Sequence, residues 1–177
     1  DDFYALASCI YTAWEYNLCH KDEDIRIQKH LFTQQNLFSE IIYVKTDMTK
    51  AKKVIDSIKS KLSMQTYHTV YTAFLHFKDT GNDIYNFLRL AFKYGSDINY
   101  MSGEEIVMKL QKLQTAVKRE LHSYLEVTRF EEVYEDFFLA RIEPRHNIIA
   151  ELSTHFQNRM PSLNWIIIDT SRSLALV

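Results

Sequence analysis

The spacing of apolar residues changes near residue 128, from a repeat typical of helices to an alternation typical of strands. Before that point apolar side chains recur every three or four positions, as they do along residues 105–124. After it, the strand-like segments Arg129–Val133 and Phe137–Ile142 flank the short polar stretch Tyr134–Asp136, as in a β-hairpin. The sequence therefore predicts an α+β fold, with helices in the first two-thirds packed on a small, mainly antiparallel sheet formed largely by the C-terminal third.

The individual elements follow from these repeats and from their stop signals. Helices are predicted over residues 2–19, 48–62, 66–77 and 83–94, from about residue 102 onward, and after Glu143 with Pro144 in the first turn. A second hairpin is predicted from Trp165–Ile168 and Leu174–Val177, and a further short strand from Ile41–Val44. The charged stretch His20–Asp24 is expected to end the first helix. Because 177 residues contain no linker or repeat, we predict a single domain over residues 1–177.

Composition excludes several classes of function. The net charge of −2 means that any nucleic-acid contact must come from a local basic patch. Cys9 and Cys19 lie on one predicted helix, about 15 Å apart, which is too far for a disulfide. Free thiols and the lack of a signal peptide favour the cytoplasm, with no membrane partner. Glycine occurs only at 81, 95 and 103, so phosphate-binding and dinucleotide loops are excluded and no cofactor is predicted.

Polar side chains concentrate where the strand Phe137–Ile142 leads into the following helix. They are Arg141, Glu143, Arg145, His146 and Asn147. A buried guanidinium at this position would need a carboxylate, a carbonyl or a ligand phosphate as its partner.

Residues later in the chain offer partners and further binding groups. Asp169 alternates onto the face of Trp165, and it can pair with Arg141 or, across its own turn, with Arg172. Basic groups near Trp165 can also bind a nucleic-acid backbone while the ring stacks on a base. Both a structural and a ligand-binding interpretation stay open here.

Three other groups have a structural and a functional interpretation. Glu151, His155 and Arg159 form one ridge of the last helix, either an ion-pair seam or a site for proton transfer. Five lysines on the helix 48–62 either cover the edge of the core or contact phosphate. No spacing of His122, His146 and His155 organises a metal site, so none is predicted.

Several segments occur in the order found in a known family. They are Phe87–Gly95, Val117–His122, Arg129-Phe130, Ala140–Asn147, His155–Arg159, Trp165 with Asp169, and Arg172–Leu176. Over roughly residues 85–177 the chain resembles the bacterial "probable DNA metabolism protein" family, a domain of unknown function. It departs from that family at Tyr124–Thr128, where members often carry Lys-Gly-Phe.

The resemblance implies an accessory role in DNA repair or base modification. Related domains are fused to uracil-DNA-glycosylase-like domains and are encoded beside a radical-SAM protein. The resemblance therefore implies three partners: DNA, a glycosylase-like domain and a radical-SAM protein. The first hypothesis is a non-catalytic module that binds DNA or a repair partner. Its binding residues would be Glu120, Arg141, Arg145, His146, Asn147, Arg159, Trp165, Asp169 and Arg172.

The second hypothesis is an enzyme that acts on a nucleotide or a DNA base. Glu143, His146 or His155 would be its acid–base group, and arginines would hold phosphate. A third possibility is that the polar residues only hold the small sheet to its helices.

Overall fold

A computed structural model describes residues 2–20, 24–28 and 40–177. Within these ranges six α-helices precede or interrupt four strands, in the order α1 Phe3–Cys19, α2 Met48–Ser57, α3 Met64–Phe74, α4 Gly81–Tyr94, α5 Glu105–Val127, β1 Glu131–Tyr134, β2 Phe137–Ile142, α6 Ile149–Arg159, β3 Asn164–Asp169 and β4 Leu174–Leu176. A π-helical turn at Ile58–Leu62 extends α2, and a 3-10 helix at Gly95–Tyr100 follows α4. The predicted α+β fold is confirmed.

The four strands form one mixed sheet in the order β1-β2-β3-β4. β1 with β2, and β3 with β4, are the two antiparallel pairs, while β2 and β3 run parallel at the centre. A parallel pair needs a crossover connection, which α6 provides. The turn between β1 and β2 places Asp136 at φ 58°, a left-handed conformation that Asp tolerates.

The described chain divides into two compact units, and the boundary falls within α5, after Lys112. The first unit holds the described residues up to Phe74 together with Lys78–Lys112, and the second holds Leu75–Phe77 and Leu113–Val177. The single domain predicted over residues 1–177 stays a prediction.

The first unit is helical, and α1 packs against α2 in it. The ring of Phe3 on α1 also meets two rings of α3 edge-on, with its centroid 5.3 Å from those of Tyr71 and Phe74. Its fully buried core includes Ile10, Val54, Ile58, Ile84, Tyr85, Phe87, Leu88, Ile98 and Leu110.

In the second unit, one face of the sheet is buried with α6. Ala140 and Ile142 of β2 are buried, with the exposed Arg141 between them, and their register partners on β3 are Ile167 and Asp169. Apolar residues of α6 complete this core, namely Ile149, Leu152 and Phe156.

Two predicted elements are wrong. Ile41–Val44 form no strand within the described ranges, because no other strand pairs with their backbone. Pro144 is not in the first turn of a helix, because α6 begins at Ile149 and residues 143–148 form an irregular loop. The helix end predicted at His20–Asp24 is confirmed on its described side, since α1 ends at Cys19; residues 21–23 lie outside the described residues.

None of the helices in the described ranges combines the length and apolar character needed to cross a membrane.

Candidate functional site

The loop of residues 143–148, which joins β2 to α6, is held by one carboxylate of α5. Glu120 Oε1 accepts the backbone N–H of Arg145 at 2.9 Å, and its Oε2 accepts that of His146 at 2.7 Å. Hydrogen bonds to a charged acceptor are roughly twice as strong as those between neutral groups. Glu120 therefore determines where this loop lies on α5.

Arg172, in the turn between β3 and β4, satisfies the carbonyl groups of the same loop. Its guanidinium donates to the carbonyl oxygen of Pro144 at 2.9 Å and to that of Arg145. It also donates to Oδ2 of Asp169 at 2.9 Å, and Asp169 is completely buried. We call Glu120, Asp169 and Arg172 the loop clamp, because Glu120 accepts two backbone N–H groups of the 143–148 loop, Arg172 donates to two of its carbonyls, and Asp169 pairs with Arg172.

His146 packs inward from this loop, with 5% of its surface exposed. Its Nδ1 accepts the backbone N–H of Phe77 at 3.2 Å, so in the neutral ring the proton is on Nε2. The ring centroid of His76 lies 4.5 Å away, and the backbone N–H of Asn147 donates to the carbonyl of Leu75 at 2.9 Å. The segment Leu75–Phe77 is thus the partner of the loop on its other side.

Burial lowers the pKa of His146 below its ordinary value. The negative charge of Glu120 opposes this effect, whereas the positive charges of Arg145 and Arg172 add to it. The ring is therefore neutral near pH 7, which suits its role as the acceptor for Phe77.

Lowering the pH should destabilise the protein through this histidine. The unfolded chain binds a proton at His146 more readily than the folded chain, so this part of the stability is fully present above about pH 6.5 and is lost below it. We expect the unfolding free energy to fall more between about pH 7 and pH 5.5 in the wild type than in His146→Asn. The Asn oxygen can accept the Phe77 N–H but does not titrate.

Urea unfolding at the two pH values measures this difference. His122→Asn is the matched control, since it makes the same replacement at an exposed position of α5. Equal losses of stability in the wild type and His146→Asn would contradict the role given to His146.

Arg145 and Arg141 differ from the loop clamp because their side chains face solvent. The guanidinium of Arg145 lies over the ring of Phe77, 3.8 Å from its centroid. Arg141 has no hydrogen-bond or ion-pair partner among the described residues. Both cations are therefore available to a ligand.

A cleft of about 330 Å³ lies where the end of α5 meets β1 and β2. We call it the arginine cleft, and its lining consists of Tyr124, Val127, Thr128, Arg129, Glu131, Leu139, Arg141 and Ile142. The Arg129 guanidinium donates to the carbonyls of Glu126 and Thr128, which positions it at the C-terminal end of α5. Burial, and then the charge of Glu120, raises the pKa of Tyr124, so its hydroxyl is neutral near pH 7.

The structure brings only part of the predicted site together. Glu120, Arg145, His146, Asn147, Asp169 and Arg172 meet at the 143–148 loop. Glu143 is exposed at its start, while His155 and Arg159 lie along α6 with Glu151. Within the described ranges, no hydrogen bond or ion pair joins His155 to Glu143 or His146.

Two interpretations of the C-terminal strands are corrected. Arg141 does not pair with Asp169, because Ile142 is the register partner of Asp169 and Arg141 points to the opposite face. Asp169 pairs with Arg172 instead, as the alternative held. Trp165 is buried and its ring meets the edge of Phe130, so it is a core residue and presents no open face to a base.

Several of the five lysines over residues 48–62 contact side chains of their own unit. Lys50 pairs with Glu15 at 2.9 Å, and the Lys59 ammonium lies 4.2 Å from the ring centroid of Tyr67. Both Cys9 and Cys19 are free thiols. Across the described ranges, no three His, Cys, Asp or Glu side chains are placed to share a metal ion.

Some residues of the site were not predicted. The segment Leu75–Phe77 was assigned to a helix, and only its contacts with residues about seventy positions later reveal its role. Tyr124 belongs to the apolar repeat predicted over residues 105–124, and Arg129 was predicted only as the start of a strand segment and as part of the family resemblance. The one local signal was the Arg129-Phe130 pair at the helix-to-strand change.

These features define an α+β protein in which a C-terminal four-stranded mixed sheet carries an internally braced loop and an arginine-lined cleft. The family described as domain of unknown function DUF4130 matches residues 78–177, which is more than half of the chain. The chain belongs to this family. No curated protein matches the chain, and no solved structure does.

Proposed function

We propose that this protein is a non-catalytic accessory module of bacterial DNA metabolism that binds DNA through the arginine cleft. The observation that carries the proposal is the pair Arg129 and Arg141, two exposed guanidinium groups that line one cleft. Guanidinium groups bind phosphate through paired N–H donors and stay charged at any working pH. Arg141 has no competing partner in the described part of the chain, so its full charge faces the cleft.

The charge balance of the chain favours a small contact surface. A net charge of −2 gives no general attraction to a polyanion, so binding has to come from a few well-placed cations. Arg145 adds a third exposed guanidinium in the same unit, above the ring of Phe77.

The sequence resemblance gives the proposal its biological setting. Residues 85–177 resemble the "probable DNA metabolism protein" family, and this resemblance favours DNA as the polyanion that binds. A radical-SAM protein and a glycosylase-like domain are then the proposed partners that would act on the bound DNA.

The state of His146 favours a binding module over an enzyme. His146 is buried and neutral, and its Nδ1 lone pair already accepts the Phe77 N–H. Glu120, the carboxylate nearest to it, accepts two backbone donors. A general base needs an accessible lone pair within reach of its substrate, and this pair of residues offers none.

Neutralising Arg141 should weaken DNA binding at unchanged stability. One lost phosphate contact is expected to reduce affinity about tenfold at low salt and to lower the salt slope of log K by about one. Fluorescence anisotropy with labelled single-stranded and duplex DNA at two salt concentrations measures both quantities for Arg141→Gln and Arg129→Gln.

The matched control is Arg119→Gln, an exposed arginine of α5 outside the arginine cleft. It should bind like the wild type, because it removes the same charge elsewhere. Absence of binding to either DNA at low salt, or the same loss in Arg119→Gln, would refute the proposal.

A further inference from the structure

We propose that the arginine cleft receives one unpaired nucleotide of a DNA single strand, and that Glu131 selects a base carrying an amino group. This inference rests on the proposed function and names the form of DNA that the cleft accepts. It depends on three properties of the lining: its volume, its division into charged and apolar groups, and its single carboxylate.

The volume suits one nucleotide. At about 330 Å³ the cleft lies at the lower end of the range of small-molecule sites. Bases inside a duplex are stacked and paired, so a protein reaches a whole base only in a single strand or after the base leaves the stack. A cleft of this size can enclose one such unit, whereas a duplex can touch only its rim.

The lining contains both kinds of group that a nucleotide requires. Arg129 and Arg141 provide donors for phosphate, while Val127 and Leu139 provide apolar contact for a base. Proteins that bind single strands combine a cationic groove with aromatic rings on which bases stack. Tyr124 is the aromatic residue of this lining, and its side chain is half-buried.

Glu131 is the one acidic residue of the lining, at the start of β1 and opposite Leu139 in the sheet. A carboxylate only accepts hydrogen bonds. The amino groups of cytosine, adenine and guanine can donate to it, and acceptance from cytosine N4 is a known form of base recognition. The single ring N–H of thymine lies between two carbonyl oxygens that a carboxylate repels.

The first measurement compares DNA forms on the intact protein. Short homopolymers of deoxycytidine and of deoxythymidine and a hairpin duplex, all fluorescently labelled, are titrated at low salt and neutral pH. We expect the deoxycytidine strand to bind about tenfold more tightly than the duplex and severalfold more tightly than the deoxythymidine strand.

The second measurement uses variants of the lining. Tyr124→Leu should weaken single-strand binding about tenfold, with little change for the duplex, and Tyr124→Phe should recover most of that loss because it restores the ring. Tyr134→Leu is the aromatic control, since Tyr134 is exposed on β1 outside the cleft. Glu131→Gln should remove the preference for deoxycytidine, because an amide both donates and accepts.

The outcomes separate the two proposals. Equal affinity for single strand and duplex, with no effect of Tyr124→Leu, would overturn this inference and leave DNA binding intact. Failure to bind any of the three probes would overturn both. Should Tyr124→Leu not fold, Glu131→Gln still decides, because Glu131 is exposed and its replacement tests base preference alone. A preference unchanged in Glu131→Gln would refute the selection.

Discussion

Replacing Arg172 by Met should lower the free energy of unfolding by about 3–5 kcal/mol, the cost typical of breaking a buried ion pair by removing one partner. The variant leaves the carboxylate of Asp169 completely buried without its guanidinium. It also removes the donors to the carbonyls of Pro144 and Arg145. Urea unfolding followed by circular dichroism measures the loss.

A second substitution distinguishes the ion pair from general loss of packing. In the Arg172→Met background, Asp169→Asn should recover part of the stability, because the buried group is then neutral. Arg119→Met is the matched control, with an expected change within about 0.5 kcal/mol since that side chain is exposed. Equal losses of unfolding free energy in Arg172→Met and Arg119→Met would show that the loop clamp contributes nothing to stability.

The local parts of the fold could be predicted from the sequence. The strand-like apolar run over residues 137–142 predicted β2 with the bounds that the structure has, and the run Trp165–Ile168 lies within β3. Such patterns depend only on which side chains face the core, so neighbouring residues are sufficient to find them. The two hairpins follow for the same reason.

The parallel pairing of β2 with β3 could not be predicted in the same way. It arises because α6 carries the chain back across the sheet, and this depends on tertiary packing. The strand predicted at Ile41–Val44 was wrong because local side-chain preference is not sufficient to form a strand. Their side chains favour a strand, but the described part of the chain contains no strand that pairs with them.

In the candidate site, too, contacts between residues close in sequence could be predicted, whereas contacts between distant residues could not. The pairing of Asp169 with Arg172 is visible as a spacing of three residues, and it was one of the predicted alternatives. The start of α6 was misplaced because the N–H groups of Arg145 and His146 bond to Glu120, which is distant in sequence. Pro144 indicates only a local backbone preference and does not reveal such distant hydrogen-bond partners. The role of Leu75–Phe77 was hidden for the same reason.

Replacing Glu120 by Gln tests whether this residue is part of the architecture or of a ligand site. The amide oxygen of Gln can accept one of the two backbone N–H groups, and its amino group then faces the other donor. We expect the unfolding free energy to fall by about 2–3 kcal/mol, because a hydrogen bond to a charged group is lost and a part-buried donor is left unsatisfied.

The location of the destabilised amides in Glu120→Gln is as informative as the loss of unfolding free energy. Amide hydrogen exchange should accelerate at Arg145 and His146, whereas the amides in the ladder between β2 and β3 should keep more of their protection. Glu126→Gln is the matched control, since Glu126 is exposed on the same helix and should stay within about 0.5 kcal/mol of the wild type. A Glu120→Gln variant that is as stable as the wild type but has lost affinity for DNA would assign Glu120 to ligand binding. Loss of stability with cleft binding retained in the folded protein would mean that Glu120 braces the 143–148 loop while the arginine cleft binds the ligand.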